Sequence, residues 1–269
     1  MTDDGSNRVG RWHLDQASSA RASRRWWDQE ATAYAREHGL FLGDANPSGA
    51  LIWGPEGLDE RSAGLLGPLD GLRVCEIGAG GAQGSRWAVR QGAHVIALDL
   101  SMGMLLQASD REPAVPLIQA DATALPFTSE QFDLAFSAYG AVPFVAQIEI
   151  LFAEVWRILR PGGRWVFSVT HPIRWAFPDV PGELGLTADR SYFDRRPYVE
   201  RDESGVPSYV EHHRTLGDTV AALTKVGFAI DGLTEPEWPD DHDHIWGGWS
   251  PTRGRLIPGT AIWSCRKAS

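Results

Sequence analysis

A carboxylate precedes a glycine-rich loop in the segment VCEIGAGGAQG, residues 74–84. Glu76 stands two residues before Gly78, and Gly80 and Gly81 follow in the loop. Glycines allow a tight turn and let the backbone approach a ligand closely. A pyrophosphate at the start of the next helix would be repelled by the carboxylate of Glu76. The pattern therefore favours a ligand that carries a positive charge.

Two more acids stand where predicted strands end. Asp99 and Leu100 end the run HVIALDL, and Asp121 and Ala122 end VPLIQADA. The carboxyl ends of parallel strands share one edge of a sheet, where ligands bind. Asp99 can accept hydrogen bonds from ribose hydroxyls while Leu100 packs on an adenine, and Asp121 with Ala122 can meet the adenine amine. S-adenosylmethionine joins such a nucleoside to ammonium and sulfonium groups. Taken singly, each acid could equally be a turn residue or a helix cap.

Strand and helix patterns alternate from residue 72 onwards. The apolar runs LRVCEIG, HVIALDL, VPLIQADA, FDLAFSAYGA, RWVFSVTHP, FAIDGLTEP and GTAIWSCRK predict seven strands. Such alternation is typical of an α/β fold with a doubly wound, mostly parallel sheet that is buried on both faces. No helix pattern separates the last two strands, so we expect the last strand to run antiparallel.

The same pass along the chain predicts three parts. Residues 1–18 are polar and are expected to form a disordered leader. Residues 19–68 are expected to form an N-terminal helical part, because Trp27, Ala31, Tyr34 and His38 recur at helical spacing, and the resemblance given below implies that it is a lid. The main domain is predicted over residues 69–269, with irregular insertions at about 173–210 and 236–258.

A dinucleotide-binding protein, such as an NAD(P)-linked oxidoreductase, is the main alternative for this fold class. Its fingerprint has glycine at the sixth position of G-x-G-x-x-G. Counted from Gly78, the sixth residue here is Gln83, so the fingerprint is broken. A catalytically silent member of the fold that only binds the cofactor remains a further alternative.

The motifs EIGAG, ALDLS, QADATALPF, FDLAFSAYGAVPFV and ILRPGGRWVFS resemble those of class I S-adenosylmethionine-dependent methyltransferases of the small-molecule type. The resemblance covers roughly residues 70–172, and a weaker match extends over residues 213–235. It implies a Rossmann-like methyltransferase fold, methyl transfer to a small-molecule acceptor through an O, N or C nucleophile, and S-adenosylmethionine as the cofactor. This chain departs from the family pattern at Gly81 and Ala82.

The resemblance also implies roles for individual residues. Glu76 would face the methionine amino group, and Asp99 would hold the ribose. The segment from Trp26 to Tyr34 resembles the lid helix of the family, which makes Tyr34 a cofactor contact. The full set of implied cofactor-binding residues is Tyr34, Glu76, Gly78, Ala79, Gly80, Asp99, Leu100, Asp121, Ala122 and Ser137.

Methyl transfer needs a base only when the attacking group must lose a proton. His171, at the end of the fifth predicted strand, is the candidate, and its ordinary pKa suits proton uptake near neutral pH. The alternative is a structural histidine that anchors the turn before Pro172. Trp246, Trp249 and Arg253 in the segment IWGGWSPTRGR are expected to form an aromatic rim for the acceptor.

Composition limits the classes of partner. The formal net charge is −10, which argues against a nucleic-acid partner, because such partners are bound through Lys and Arg. We find no stretch of ~20 apolar residues, so no membrane partner is expected. The two cysteines, Cys75 and Cys265, have no metal-site spacing and suit reduced core thiols in a cytoplasmic protein. We therefore predict a small-molecule substrate and no metal, and the oligomeric state stays open.

Overall fold

The computed structural model describes residues 8–39 and 51–268. Its strands are β1 (Val9–Arg11), β2 (Arg73–Ile77), β3 (His94–Asp99), β4 (Leu117–Gln119), β5 (Phe132–Ala138), β6 (Leu159–Thr170), β7 (Tyr198–Arg201), β8 (Pro207–Glu211), β9 (Phe228–Thr234) and β10 (Thr260–Lys267). Its α-helices are α1 (Gln16–His38), α2 (Glu60–Ala63), α3 (Gln83–Arg90), α4 (Met102–Leu106), α5 (Ile148–Ile158), α6 (Leu216–Val226) and α7 (Pro251–Gly254).

The central sheet has seven strands in the order β4-β3-β2-β5-β6-β10-β9. All pairs from β4 to β6 are parallel, whereas β10 is antiparallel to both of its neighbours. The predicted doubly wound sheet with an antiparallel last strand is therefore confirmed. The strand order reverses between β2 and β5, and such a reversal opens a crevice for a ligand at the carboxyl ends of the strands.

Apolar side chains cover both faces of the sheet. Along β2, Cys75 and Ile77 join the cluster under α5 and α6, whereas Val74 joins the cluster on the opposite face. This alternation follows from the two-residue repeat of a strand. Among the described residues, no helix is both long and apolar enough to cross a membrane.

The N-terminal region differs from the predicted leader and lid. Strand β1 pairs with β7, and α1 begins at Gln16, where the Asp15 side chain accepts a hydrogen bond from the amide of Ser18. The prediction of disorder is therefore wrong for residues 8–18, because the strand partner lies far along the chain; residues 1–7 lie outside the described residues. Between residues 51 and 69 the chain packs into the core, so only α1 has the character of a lid helix.

A second, three-stranded antiparallel sheet has the order β1-β7-β8. Its hairpin β7–β8 comes from the predicted insertion at about residues 173–210. Val199 and Val210 of this hairpin form a small core with Ala22 of α1, and Trp12 and Leu14 pack against it. The insertion therefore supports α1 from outside the main sheet.

We expect Phe152→Ala to lower the free energy of unfolding by about 3–5 kcal/mol, because it leaves a cavity in the largest core cluster. Phe152 is fully buried in α5. Ile150 of the same helix is 41% exposed and provides the control, since Ile150→Ala should cost less than about 1 kcal/mol. Urea denaturation measures both, and equal losses would contradict the assignment of the core.

Candidate active site

A cavity of about 1150 Å³, its open mouth included, lies at the carboxyl ends of β2, β3, β4 and β5. It is bordered by α1, the segment of residues 51–54, the loops that follow these strands, and Trp246. This is the crevice that the reversal in strand order predicts.

The glycine loop after β2 forms the floor of the cavity. Gly78 has φ +70°, and a Cβ there would lie 2.3 Å from the amide nitrogen of Ala141 in the loop after β5. Only glycine fits at that point. The Gly80 amide donates to Oδ2 of Asp99 at 2.8 Å, and Arg86 of α3 donates to the Gly81 carbonyl at 2.6 Å. These contacts hold the loop close to the place where a ligand would lie.

Glu76 is buried beside this loop, with 4% of its surface exposed. Its Oε2 accepts hydrogen bonds from the amide of Ser85 at 2.7 Å and from the Ser85 hydroxyl. Burial raises the pKa of Glu76 to about 7, and the hydrogen bonds from Ser85 and the charge of Arg86 only partly oppose that rise. A ligand ammonium group beside Glu76 would favour the ionised carboxylate.

The two other acids lie at the ends of β3 and β4, as predicted. Asp99 accepts from the amide of Gly80 with one oxygen and from the amide of Ser101 with the other, and burial raises its pKa. Asp121 accepts from the amide and the hydroxyl of Thr123 through Oδ1. A carboxylate oxygen has two lone pairs, so both acids keep acceptor capacity towards the cavity.

Most of the residues predicted to bind the cofactor line this one cavity. They are Tyr34, Glu76, Gly78, Ala79, Gly80, Asp99, Leu100, Asp121 and Ala122. Ser137 is different, because its side chain is fully buried within β5 behind Gly140 and does not line the cavity. Direct contact between each of these residues and the cofactor stays a prediction.

His171 does not line the cavity. Its Nδ1 accepts a hydrogen bond from the amide of Ile173 at 3.1 Å, and its Nε2 lies 2.8 Å from Oε1 of Glu235. Burial lowers its pKa, against the opposing charge of Glu235. The ring therefore anchors the turn after β6, which is the alternative role considered from the sequence, and the geometry does not support His171 as a base.

Helix α1 covers the cavity and is tied to the loops below it. Oδ1 of Asp28 accepts from the hydroxyl of Ser101 at 2.6 Å and from the amide of Gly103 at 2.8 Å. At the start of the helix, Oε1 of Gln16 accepts from the amide of Ala146 at 2.9 Å. The sequence indicates the lid helix but not these ties, since they join residues more than seventy positions apart.

An aromatic wall that the sequence analysis largely missed lines the same cavity. Tyr139, with φ 56°, stacks on Trp246 at 5.8 Å between ring centroids, and Trp246 lies 5.2 Å from the ring of His38. The ring of Phe144 meets Trp27 of α1 at 5.5 Å. Positive φ is rare outside glycine and marks a strained position at Tyr139, but no local pattern in the sequence announces it.

The predicted aromatic rim is only partly formed. Trp246 lines the cavity, whereas Trp249 and Arg253 are buried away from it. The guanidinium of Arg253 lies 4.5 Å from the ring of Trp249 and donates to the carbonyl of Gly248. These two residues therefore brace the loop that carries Trp246.

The comparisons with known proteins agree with this site. A family model described as a methyltransferase domain matches residues 75–167. Demethylmenaquinone methyltransferase of Mycobacterium tuberculosis is 31% identical over 207 residues, which are 75% of this chain and 76% of that protein. The enzyme of the same name from Renibacterium salmoninarum is 34% identical over 145 residues, 52% of this chain and 61% of that protein.

A solved structure covers more of the chain. The S-adenosylmethionine-dependent methyltransferase from Mesorhizobium loti has 33% sequence identity and a TM-score of 0.63, and the match covers 80% of this chain and 100% of that one. The chain belongs to the S-adenosylmethionine-dependent methyltransferase family. Its cofactor is S-adenosylmethionine, so the NAD(P)-linked alternative falls away. The residues present fit that cofactor, since Glu76 suits its cationic amino group and Gly78 leaves room for close approach.

We expect Gly78→Ala to weaken binding of S-adenosylhomocysteine about tenfold or more, because the new Cβ would push the loop away from Ala141. Gly162→Ala is the matched control: φ there is +75°, but a Cβ would meet nothing within 4 Å. Isothermal titration calorimetry gives both affinities. Equal losses in the two variants would show that backbone strain, and not the close approach, is responsible.

Binding of S-adenosylhomocysteine should strengthen about tenfold between about pH 6 and pH 8. The product keeps the amino group, which favours ionised Glu76, while burial raises the pKa of Glu76 to about 7 in the free protein. Below that pH the carboxyl must lose a proton before it can pair with the ammonium, so affinity falls. In Glu76→Gln the affinity should be lower and nearly independent of pH; a wild-type profile in that variant would rule out the pairing.

Proposed function

We propose that this protein transfers the methyl group of S-adenosylmethionine to a small, planar aromatic or quinol-like acceptor. The acceptor is held between the carboxyl ends of the strands and the aromatic residues of α1 and the Trp246 loop. The observation that carries the proposal is that one cavity is lined both by the acids at the ends of β2, β3 and β4, here called its acidic half, and by the rings of Tyr139, Phe144, Trp27 and Trp246, here called its aromatic half.

The acidic half suits the cofactor. Glu76 would pair with the amino group, the glycine loop would accommodate the methionine chain, and Asp99 would accept from the ribose hydroxyls. Asp121 and Ala122 would meet the adenine, and Leu100 and Tyr34 would pack against it. When bound, the cofactor supplies an electrophilic methyl group on a good leaving group, so these residues contribute mainly orientation and the exclusion of water.

The aromatic half suits a flat acceptor. Tyr139, Trp246, Trp27 and Phe144 line it, and such rings favour stacked or edge-to-face contacts with another ring. The names of the two relatives point in the same direction, since demethylmenaquinone is a small-molecule quinone. Both observations support an aromatic acceptor over an aliphatic one. A member of the fold that binds the cofactor without turnover is the remaining alternative.

The proposal is tested with S-adenosylmethionine carrying a ¹⁴C-methyl group and a panel of simple phenols, catechols and naphthohydroquinones, with primary alkylamines as the contrasting class. We expect enzyme-dependent transfer of label to at least one aromatic acceptor and an equal amount of S-adenosylhomocysteine. Labelling of the alkylamines alone would contradict the acceptor class. Tight cofactor binding with no turnover across the panel would favour the silent alternative.

For the aromatic acceptor found in this way, Trp246→Ala should raise KM about tenfold and leave the affinity for S-adenosylhomocysteine unchanged, since Trp246 lies on the aromatic side of the cavity. Phe193→Ala provides the control, because Phe193 is 68% exposed and does not line the cavity. Steady-state kinetics separate the two variants, and a parallel loss of cofactor affinity in Trp246→Ala would contradict the division into two halves.

A further inference from the structure

A buried glutamate lies behind the wall of the cavity. Glu56 is 1% exposed, and its two carboxylate oxygens accept from the start of β10. Oε1 accepts from the amide of Gly259 at 2.8 Å, and Oε2 accepts from the hydroxyl of Thr260 at 2.6 Å. Both donors are uncharged. A carboxylate is seldom buried without a cation beside it or a functional role.

A hydrogen-bond chain joins this carboxylate to a residue of the aromatic wall. The hydroxyl of Tyr139 donates to the carbonyl oxygen of Gly259 at 3.0 Å and also lies 3.2 Å from Oγ1 of Thr260. Thr260 gives its own proton to Glu56, so its oxygen is free to accept from Tyr139 when the Tyr139 hydroxyl turns away from the Gly259 carbonyl. Tyr139 lines the cavity, and the chain therefore runs from the acceptor half of the cavity to Glu56.

Gly54 lies between the cavity and this chain. It lines the cavity, and a Cβ at Gly54 would lie 2.0 Å from Oγ1 of Thr260 and 2.8 Å from Oε2 of Glu56. The missing side chain thus lets the hydroxyl and the carboxylate sit directly behind the wall. Any larger residue would displace the chain of hydrogen bonds.

We propose that Glu56 receives the proton of the methyl acceptor through Tyr139 and Thr260, and that the acceptor is therefore nucleophilic through a phenolic or enolic hydroxyl. This inference rests on the proposed function. Glu56 would be the proton acceptor in place of His171, because both ring nitrogens of His171 have other contacts.

The step balances in atoms and charge. A bond forms between the acceptor oxygen and the methyl carbon as the carbon–sulfur bond breaks, and the electron pair of that bond stays on sulfur. The acceptor proton passes to the oxygen of Tyr139, the proton of Tyr139 passes to Thr260, and that of Thr260 passes to Glu56. A sulfonium cation and a carboxylate are replaced by a neutral thioether and a neutral carboxylic acid.

The surroundings of Glu56 suit this role. Burial raises its pKa, while its hydrogen bonds oppose that rise, so its affinity for a proton is greater than that of an exposed glutamate. Tyr139 and His242 are titratable groups next to Glu56, and Nε2 of His242 lies 2.8 Å from the carbonyl oxygen of Pro55. Farther along the same segment, Arg164 donates to the carbonyl of Leu66 and opposes the charge of Glu60. Activity is expected to fall as pH drops through the raised pKa of Glu56, because the protonated acid accepts nothing further.

The experiment follows the ionisation of 4-nitrophenol bound to the 269-residue chain in the presence of sinefungin, a cofactor analogue that has an amine in place of the methylsulfonium. The absorbance of the probe distinguishes the phenol from the phenolate. In the wild type the ionised carboxylate of Glu56 at the end of the chain should keep the bound probe in its phenol form to about one pH unit above the pH at which it ionises in Glu56→Gln, a tenfold shift in the equilibrium. Tyr139→Phe breaks the chain and should lose that shift as well.

Glu60→Gln is the matched control. Glu60 is also a buried glutamate of this segment, 2% exposed, but it accepts from Trp53 Nε1 and the amide of Leu66 and has no bond to the chain at Tyr139. In Glu60→Gln the bound probe should ionise at the same pH as in the wild type. Tyr139→Phe removes a single hydroxyl, so it tests the chain even if Glu56→Gln does not fold.

If the bound probe ionises at the wild-type pH in Glu56→Gln or in Tyr139→Phe, the relay is overturned while the proposed function stays intact. A probe that gives no spectral change with the wild type at any pH, although sinefungin still binds, would overturn the aromatic acceptor and the relay with it. The two failures are therefore distinguished by whether the probe binds.

Discussion

The site depends on the burial of one carboxylate at the point where the strand order reverses. Glu76 lies in the crevice between β2 and β5, among groups that offer it hydrogen bonds but little opposing charge. A carboxylate in such surroundings favours a proton or a cation beside it. Glycine at position 78 lets the loop approach closely beside it. A cationic amino group such as that of S-adenosylmethionine would meet this carboxylate more favourably than a pyrophosphate would.

The remaining elements close the crevice from above. Helix α1 forms contacts with the loops after β3 and β5 through Asp28 and Gln16, and the sheet β1-β7-β8 packs on its outer side. Arg214 adds a further tie, since its half-buried side chain donates to the carbonyls of Val142, Val145 and Ala146 in the cavity-lining loop. Arg214 follows β8, so the chain at the end of the hairpin that packs on α1 also holds the loop after β5.

The division of the cavity has a chemical consequence. In the proposed function, the acids would meet a cationic nucleoside, and the rings would hold a desolvated nucleophile. A base exposed in the acceptor half would itself compete for the methyl group. Placing Glu56 behind Gly54, with two hydroxyls in front, keeps the carboxylate out of reach of the sulfonium while still allowing a proton to leave.

The sequence by itself determined the seven-stranded fold, the glycine loop and the acids at three strand ends, because each depends on residues close together in the chain and on the edge that parallel strands share. It also gave His171 a role that the structure does not support, since a position at a strand end says nothing about where a ring points. The tertiary structure alone decided the ordered N-terminal strand, the ties of α1, the aromatic wall and the position of Glu56. Glu56 and Thr260 are 204 residues apart in the chain, and only the packing of the 51–69 segment against β10 brings their oxygens together.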